Sequence, residues 1–340
     1  MNRYHLLVWL ALLLTLVSLP VLAQGVDQPE VNPRSEYWRE VRQGLEGYTA
    51  VKGQETDVLI QTQGHNWRQL RNGPVANYGG WFLGAVVLAL GVFYLIRGQV
   101  KLEHGRAGMR MLRWRIWERV LHWTVAVLFI TLSVTGLSLL FGRAVLIPLI
   151  GHEAFAVWAA LAKLLHNYAG PVFMAGVLIE VMAWIRYNFI KQHDITWFKQ
   201  GGGIVGHGHP PAGRMNGGEK TWFWAVFLLG LGVVGISGVI LDFPNLGLDR
   251  QTMQDANLVH AIGGFAFMAM AMGHIYIGTL GSEGSLEAMT TGYVDVNWAK
   301  QHHDLWFDEE MNKGAGIQPA TQGEQPTASA PTALEQPGPG

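Results

Sequence analysis

Five apolar blocks, roughly residues 80–96, 120–140, 155–185, 222–241 and 258–280, leave this chain little choice of fold. About 20 apolar residues in a helix cover the ~30 Å of a bilayer's hydrocarbon, and each block is near or above that length. Backbone amides in lipid must be satisfied within the spanning structure itself, so segments of this kind are helices. Hydrophobic residues make up 49% of the chain and charged ones 14%, which agrees. Several of the 14 Trp fall near the block ends, as interfacial anchors do. The expectation is an all-α membrane protein with soluble appendages.

Charge sets the expected orientation. Arg97, Lys101, Arg106, Arg110, Arg113, Arg115 and Arg119 fall between the first two blocks, and Arg186, Lys191, Lys199, Arg214 and Lys220 between the third and fourth. The opposite loops hold only Arg143 and Arg250, with Asp249 and Asp255 nearby. The positive-inside rule puts the basic loops in the cytoplasm. Residues 1–23 read as a secretory signal, with Arg3, an apolar core from Leu6 to Val17 and a cleavage end at Ala23; an uncleaved anchor is the competing reading. Both place residues 24–78, polar with Trp38, Tyr48 and Trp67, outside the cytoplasm. A first transmembrane helix is expected at 79–98. The tail, 314–340, is rich in Pro, Gln, Gly, Ala and Thr and is expected to be disordered. The near-neutral net charge of −1 makes no case for nucleic acid.

There is no cysteine, so disulfides, cysteine-held iron–sulfur clusters and covalent c-type haem are all excluded. Four histidines nevertheless lie inside the apolar blocks: His122, His166, His260 and His274. Histidine is costly in hydrocarbon and seldom sits there without a partner or a ligand. On the assigned topology His122 and His274 lie near the cytoplasmic face, and His166 and His260 near the outer one. His260 and His274 are fourteen residues apart, which is ~21 Å along a helix and within about 40° of one face. Depth pairs His122 with His274 and His166 with His260, as axial ligands of two stacked b haems. Two imidazoles fill both axial positions, so such a haem carries electrons. Gly170, Gly263, Gly264, Gly273 and Gly278 would let helices or a flat macrocycle approach. A proton relay or a metal-transport set is the alternative, and intramembrane glycines are commonly plain packing positions. The remaining histidines fall in loops, tail or signal; His207-Gly-His209 is read as solvated loop.

The residues from about 114 to 306 resemble the cytochrome b (gamma) subunit of membrane-bound formate dehydrogenases, which is related to the cytochrome b subunits of nickel–iron hydrogenases. The stretches that carry the resemblance are Glu118-Arg-Val-Leu-His-Trp123, Leu164-Leu-His-Asn-Tyr-Ala-Gly170, Asn216-Gly-Gly-Glu-Lys-Thr-Trp-Phe-Trp224, Leu258-Val-His-Ala-Ile-Gly-Gly264 and the run from His274 to Met289. Trp38-Arg-Glu-Val-Arg-Gln-Gly44 and Trp67-Arg-Gln-Leu-Arg-Asn-Gly-Pro74 resemble longer members of the formate dehydrogenase group. The resemblance implies a four-helix transmembrane haem-binding bundle, here with one additional N-terminal transmembrane helix after the signal peptide. It implies two haem b, with a quinone (menaquinone or ubiquinone) as electron acceptor beside the cytoplasmic haem. Asn216 and Gly218 are the implied quinone contacts; an amide offers a quinone oxygen both donor and acceptor, while a turn or cap before the fourth helix explains Asn216 equally. It also implies an iron–sulfur subunit, docked on the extracytoplasmic segment, and a molybdenum or tungsten catalytic subunit beyond it, on a bacterial inner membrane. The chain itself would do no formate chemistry. The same cytochrome serving a hydrogenase or another periplasmic molybdoenzyme, and a haem-free proton-coupled transporter, are the other readings.

Overall fold

The structure is a computed structural model and describes residues 62–203 and 208–320, with single positions at 39, 42 and 43. The expected signal, most of the 24–78 segment and the tail beyond 320 lie outside the described residues. The chain divides into two compact units. Of the described residues, one comprises 62–96 with 121–184 and 222–275, and the other 97–120, 185–203, 208–221 and 276–320.

The described residues of the first unit are mainly helical. All or part of six helices fall in it: α1 (Ala76–Arg97), α2 (Ile116–Phe141), α3 (Ile147–Trp184), α4 (Gly217–Ala225, from Trp222 on), α5 (Ile236–Asp242) and α6 (Arg250–Tyr276). Helical bonding of the wider i→i+5 kind over Val226–Gly235 joins α4 to α5. Four continuous runs are long and apolar enough to cross a membrane: Gln63–Arg97, Ile116–Tyr187, Gly217–Asp242 and Arg250–Gly281. The second is 72 residues long and breaks inside α3 at Gly151, whose φ of 80° suits a residue without a side chain.

The first run begins well before residue 79. Helix covers Thr62–Leu70, and a wide turn at Arg71–Val75 leads into α1. Pro74 sits in that wide turn, where the missing amide and the ring's bulk disturb a regular helix least. Trp67 and Pro74, expected in a separate polar segment, are therefore part of the same helical run. Close packing within the unit rests on missing side chains. A Cβ on Gly79 would collide with the Phe265 ring, and one on Gly263 would fall within 2.7 Å of Val233.

The second unit is built on a short antiparallel sheet of β1 (Met109–Leu112), β2 (Tyr293–Asp295) and β3 (Ile317–Pro319), in the order β2-β1-β3. Arg110 is opposite Asp295 on one side and Gln318 on the other. The tail was expected to be unstructured from residue 314, and this is corrected: its first residues pair with β1 because the central strand needs a second neighbour.

Buried charge organises the rest of this unit. Arg113, 2% exposed, donates to Glu219 Oε1 (2.9 Å), to the Arg214 carbonyl (3.0 Å) and to His303 Nε2 (3.2 Å). Its guanidinium lies over the rings of Trp298 and Trp306 at 5.0 and 5.1 Å. His303 Nδ1 donates to the Gly213 carbonyl at 2.8 Å, which leaves Nε2 to accept from Arg113. Burial and then the Arg113 charge hold His303 well below its ordinary value, so it is neutral. Lys220 and Asp194 form a second enclosed pair at 2.6 Å.

Candidate functional site

All four intramembrane histidines fall in the helical unit, on three helices. His122 is near the start of α2, His166 is midway along α3, and α6 carries both His260 and His274. The ring centres of His122 and His274 are 6.2 Å apart, and those of His166 and His260 are 6.0 Å apart. These are the two pairs that depth alone predicted. The fourteen residues between His260 and His274 separate the two levels by ~21 Å.

An aromatic layer lies between the levels. Phe129, Phe173 and Phe267 each follow a histidine of their own helix by seven residues, two turns along the same face. Phe267 is 5.1 Å from Phe129 and 6.4 Å from Phe173, centre to centre. The Trp222 indole stacks on Phe267 at 5.7 Å and on His274 at 4.7 Å, the latter with only 10° between planes.

At the 166–260 level each imidazole is held through Nδ1 by a facing helix. The Thr135 hydroxyl donates to the Thr131 carbonyl at 2.7 Å, so its oxygen is left to accept from His166 Nδ1 at 2.9 Å. The Leu132 carbonyl is a further partner of His166. Ser237 repeats the arrangement: its hydroxyl donates to the Val233 carbonyl at 2.6 Å, and its oxygen is 3.3 Å from His260 Nδ1. The Val234 carbonyl, 3.0 Å away, accepts from the same Nδ1. With Nδ1 the donor in both rings, the lone pair is on Nε2. Each hydroxyl residue is followed by glycine. A Cβ on Gly136 or on Gly238 would lie 3.2 Å from the Cε1 edge of His166 or His260.

The 122–274 level has another construction. His122 Nδ1 is enclosed with no hydrogen-bond partner among the described residues, and His274 lies flat on Trp222.

The two pairs have the spacing that a metal ion held between two imidazoles would need. Two rings bound to one first-row metal through bonds of about 2 Å have centres roughly 6 Å apart, and these pairs stand at 6.2 and 6.0 Å. Among the described residues no group of three or more His, Cys, Asp or Glu could hold an ion. A bare zinc or calcium ion takes about four or more ligands, more than the two imidazoles of either pair supply. Space is present beside two of the rings. Gly170 and Gly264 each lie one turn beyond a histidine, and a Cβ on either would meet nothing within 4 Å.

Asn216 and Gly218 belong to the other unit and have structural tasks there. Asn216 Oδ1 accepts from the Glu219 amide at 2.9 Å, and Glu219 Oε2 accepts from the Asn216 amide at 2.8 Å. This reciprocal pair caps the N-terminus of α4. A side chain on Gly218 would fall 2.9 Å from the Trp197 ring. Neither of these tasks occupies the Asn216 side-chain NH2.

Sequence reasoning passed over Thr135 and Ser237, although the repeated hydroxyl–glycine doublet in two apolar blocks was a usable signal. It also passed over Glu180. This carboxylate is 8% exposed, its Oε1 has no hydrogen-bond partner among the described residues, and it follows His166 by the same fourteen residues that separate His260 from His274.

Residues 113–292 match the family described as Prokaryotic cytochrome b561. Among similar proteins, the formate dehydrogenase cytochrome b556(fdo) subunit of Escherichia coli K12 is 33% identical over 196 residues, 56% of this chain and 89% of that one. The nitrate-inducible formate dehydrogenase cytochrome b556(Fdn) subunit of the same strain is 25% identical over 204 residues, 58% of this chain and 91% of that one. The formate dehydrogenase cytochrome b556 subunit of Haemophilus influenzae is 27% identical over 212 residues, 59% of this chain and 84% of that one.

Proposed function

The chain belongs to the prokaryotic cytochrome b561 family, and from that premise we propose that it is the membrane di-haem cytochrome b subunit of a formate dehydrogenase, carrying electrons from an iron–sulfur subunit outside the cytoplasm to quinone near the cytoplasmic face. It is a multi-pass membrane protein. The 72-residue run, ~108 Å of helix, exceeds one bilayer and contains two crossings either side of Gly151. With the other three runs this makes five. The basic loops of the second unit lie in the cytoplasm, which puts the 166–260 level outside and the 122–274 level inside.

The observation that carries this reading is the pairing itself, two couples of imidazoles with ring centres about 6 Å apart in one bundle. His166 and His260 hold the outer haem and His122 and His274 the inner one. A haem with two imidazole ligands supplies one-electron transfer and has no open coordination position. The chain's own residues orient the imidazoles, keep water from them and separate the two levels with Phe129, Phe173 and Phe267. Asn216, through its unused NH2, and Gly218 contact the quinone. The formate-oxidising subunit, with molybdenum or tungsten, is reached through the iron–sulfur partner, which docks on residues 24–78. Relatives' names favour formate as the donor.

Reduced-minus-oxidised spectra of membranes containing the full chain provide the test. Two b-type components are expected. His274→Ala should remove one and stop quinone reduction, and His166→Ala should remove the other. Spectra without any b-type component would overturn the cytochrome reading, and one component lost equally to both substitutions would overturn the pairing. Subunits that co-purify with the chain decide between formate dehydrogenase and a hydrogenase.

A further inference from the structure

The two histidine levels are not held alike, and the difference points to a role for two residues that bind nothing themselves. We propose that Thr135 and Ser237 are positioning residues that hold the Nδ1–H of His166 and His260 and thereby set the outer haem at a lower reduction potential than the inner one. The inference rests on the di-haem reading above.

The geometry carries the argument. Thr135 and Ser237 come from different helical runs, yet each spends its hydroxyl proton on the carbonyl four residues back, at 2.7 and 2.6 Å. Each oxygen is then able only to accept, and each faces an imidazole Nδ1, at 2.9 and 3.3 Å. In both cases the carbonyl three residues back, of Leu132 or Val234, is a further partner of the ring. Each is followed by a glycine that lets the Cε1 edge come close. A single hydroxyl near a histidine is unremarkable; the same three-part notch facing both members of one pair is a device.

Its chemical effect follows from the direction of the bond. An Nδ1–H that donates to a good acceptor gives up electron density to its ring, and Nε2 becomes a stronger donor to a metal ion. A stronger donor favours the ferric over the ferrous ion. The step tuned is a one-electron reduction in which no bond at the imidazole is made or broken and the Nδ1 proton stays in place. At the other level His122 Nδ1 has no hydrogen-bond partner among the described residues, and His274 faces an indole. The outer level should therefore be the more reducing of the two, and an electron moves inward downhill. The shorter contact makes Thr135 the stronger contributor.

The test is an optical redox titration of membranes carrying the full-length protein, with the outer component identified as the one His166→Ala removes. Thr135→Val should make that component easier to reduce by about tenfold in the one-electron equilibrium, ~59 mV. Ser237→Ala should shift it less, because its contact with the ring is the longer, 3.3 Å against 2.9 Å, and Thr135→Ser should restore the wild-type value. The inner component should not move. Should Thr135→Val lose its haem, Ser237→Ala carries the test alone. Two intact components with unmoved potentials, or with both shifted equally, would overturn this inference and leave the di-haem reading standing. Wild-type membranes with fewer than two b components would overturn both.

Discussion

At the 166–260 level the rings lean on neighbouring helices through hydrogen bonds; at the 122–274 level they lean on one another and on an indole. A hydrogen bond fixes a ring's rotation and tautomer together, whereas stacking fixes its plane and leaves its nitrogens unassigned. At the second level His122 Nδ1 has no hydrogen-bond partner among the described residues, where both Nδ1 atoms of the first level have one. What the comparison teaches is that matching pairs of ligands, on matching spacings, can be given unlike properties by residues one shell further out.

The largest expected effect comes from filling the glycine notches. A Cβ on Gly136 or Gly238 already meets the ring at 3.2 Å, and the branches of valine have nowhere to go. Gly136→Val should abolish the component that His166→Ala removes and spare the other. Loss of both components in absorbance spectra would show that the levels are mechanically coupled.

Trp222→Leu reverses the question. It should weaken only the 122–274 level, by the ~0.5–1.5 kcal/mol that an aromatic pair contributes, seen as faster haem loss from that component in detergent. Equal loss at both levels would break the comparison.

Phe267→Leu tests what separates them. Removing the ring that meets Phe129, Phe173 and Trp222 should lower the melting midpoint through roughly 1 kcal/mol of repacking cost, with both components retained. A spectral change confined to one level would show that the layer belongs to it.

Glu180→Leu is the smallest change. An enclosed carboxylate oxygen without a partner is destabilising, so leucine should leave the melting midpoint equal or higher and both spectra intact. A drop, or loss of the inner component alone, would reveal a partner for the carboxylate at the 122–274 level.

The residues that lie in apolar surroundings were the readable ones. Hydropathy found the spans, because lipid imposes one solution on any long apolar segment. Depth pairs His122 with His274 and His166 with His260, and these are the rings that stand 6.2 and 6.0 Å apart. Thr135 and Ser237 were harder to read: a hydroxyl in a membrane helix can satisfy itself on the carbonyl four residues back, so only the glycine that follows each hints at a second task. Asn216 was legible as a turn or cap residue, but not its reciprocal bonding with Glu219, whose geometry leaves the proposed quinone contact to the NH2 alone. The polar turn around Pro74 concealed that the first helical run reaches back to Thr62. Strand β3 escaped notice because three residues ending in proline carry no periodicity; only the open edge of β1 gives them a place.

That sheet has a consequence for the order in which the molecule is made. Its middle strand, 109–112, is synthesised early, but the flanks that complete it arrive at 293–295 and 317–319. Long-range pairing of this kind is slow to form, and an unpartnered strand edge is an invitation to wrong neighbours. Every described membrane helix must leave the ribosome before β1 has both its neighbours. The sheet therefore closes last, a clasp that can fasten only after the apolar helices encoded between its strands have been made.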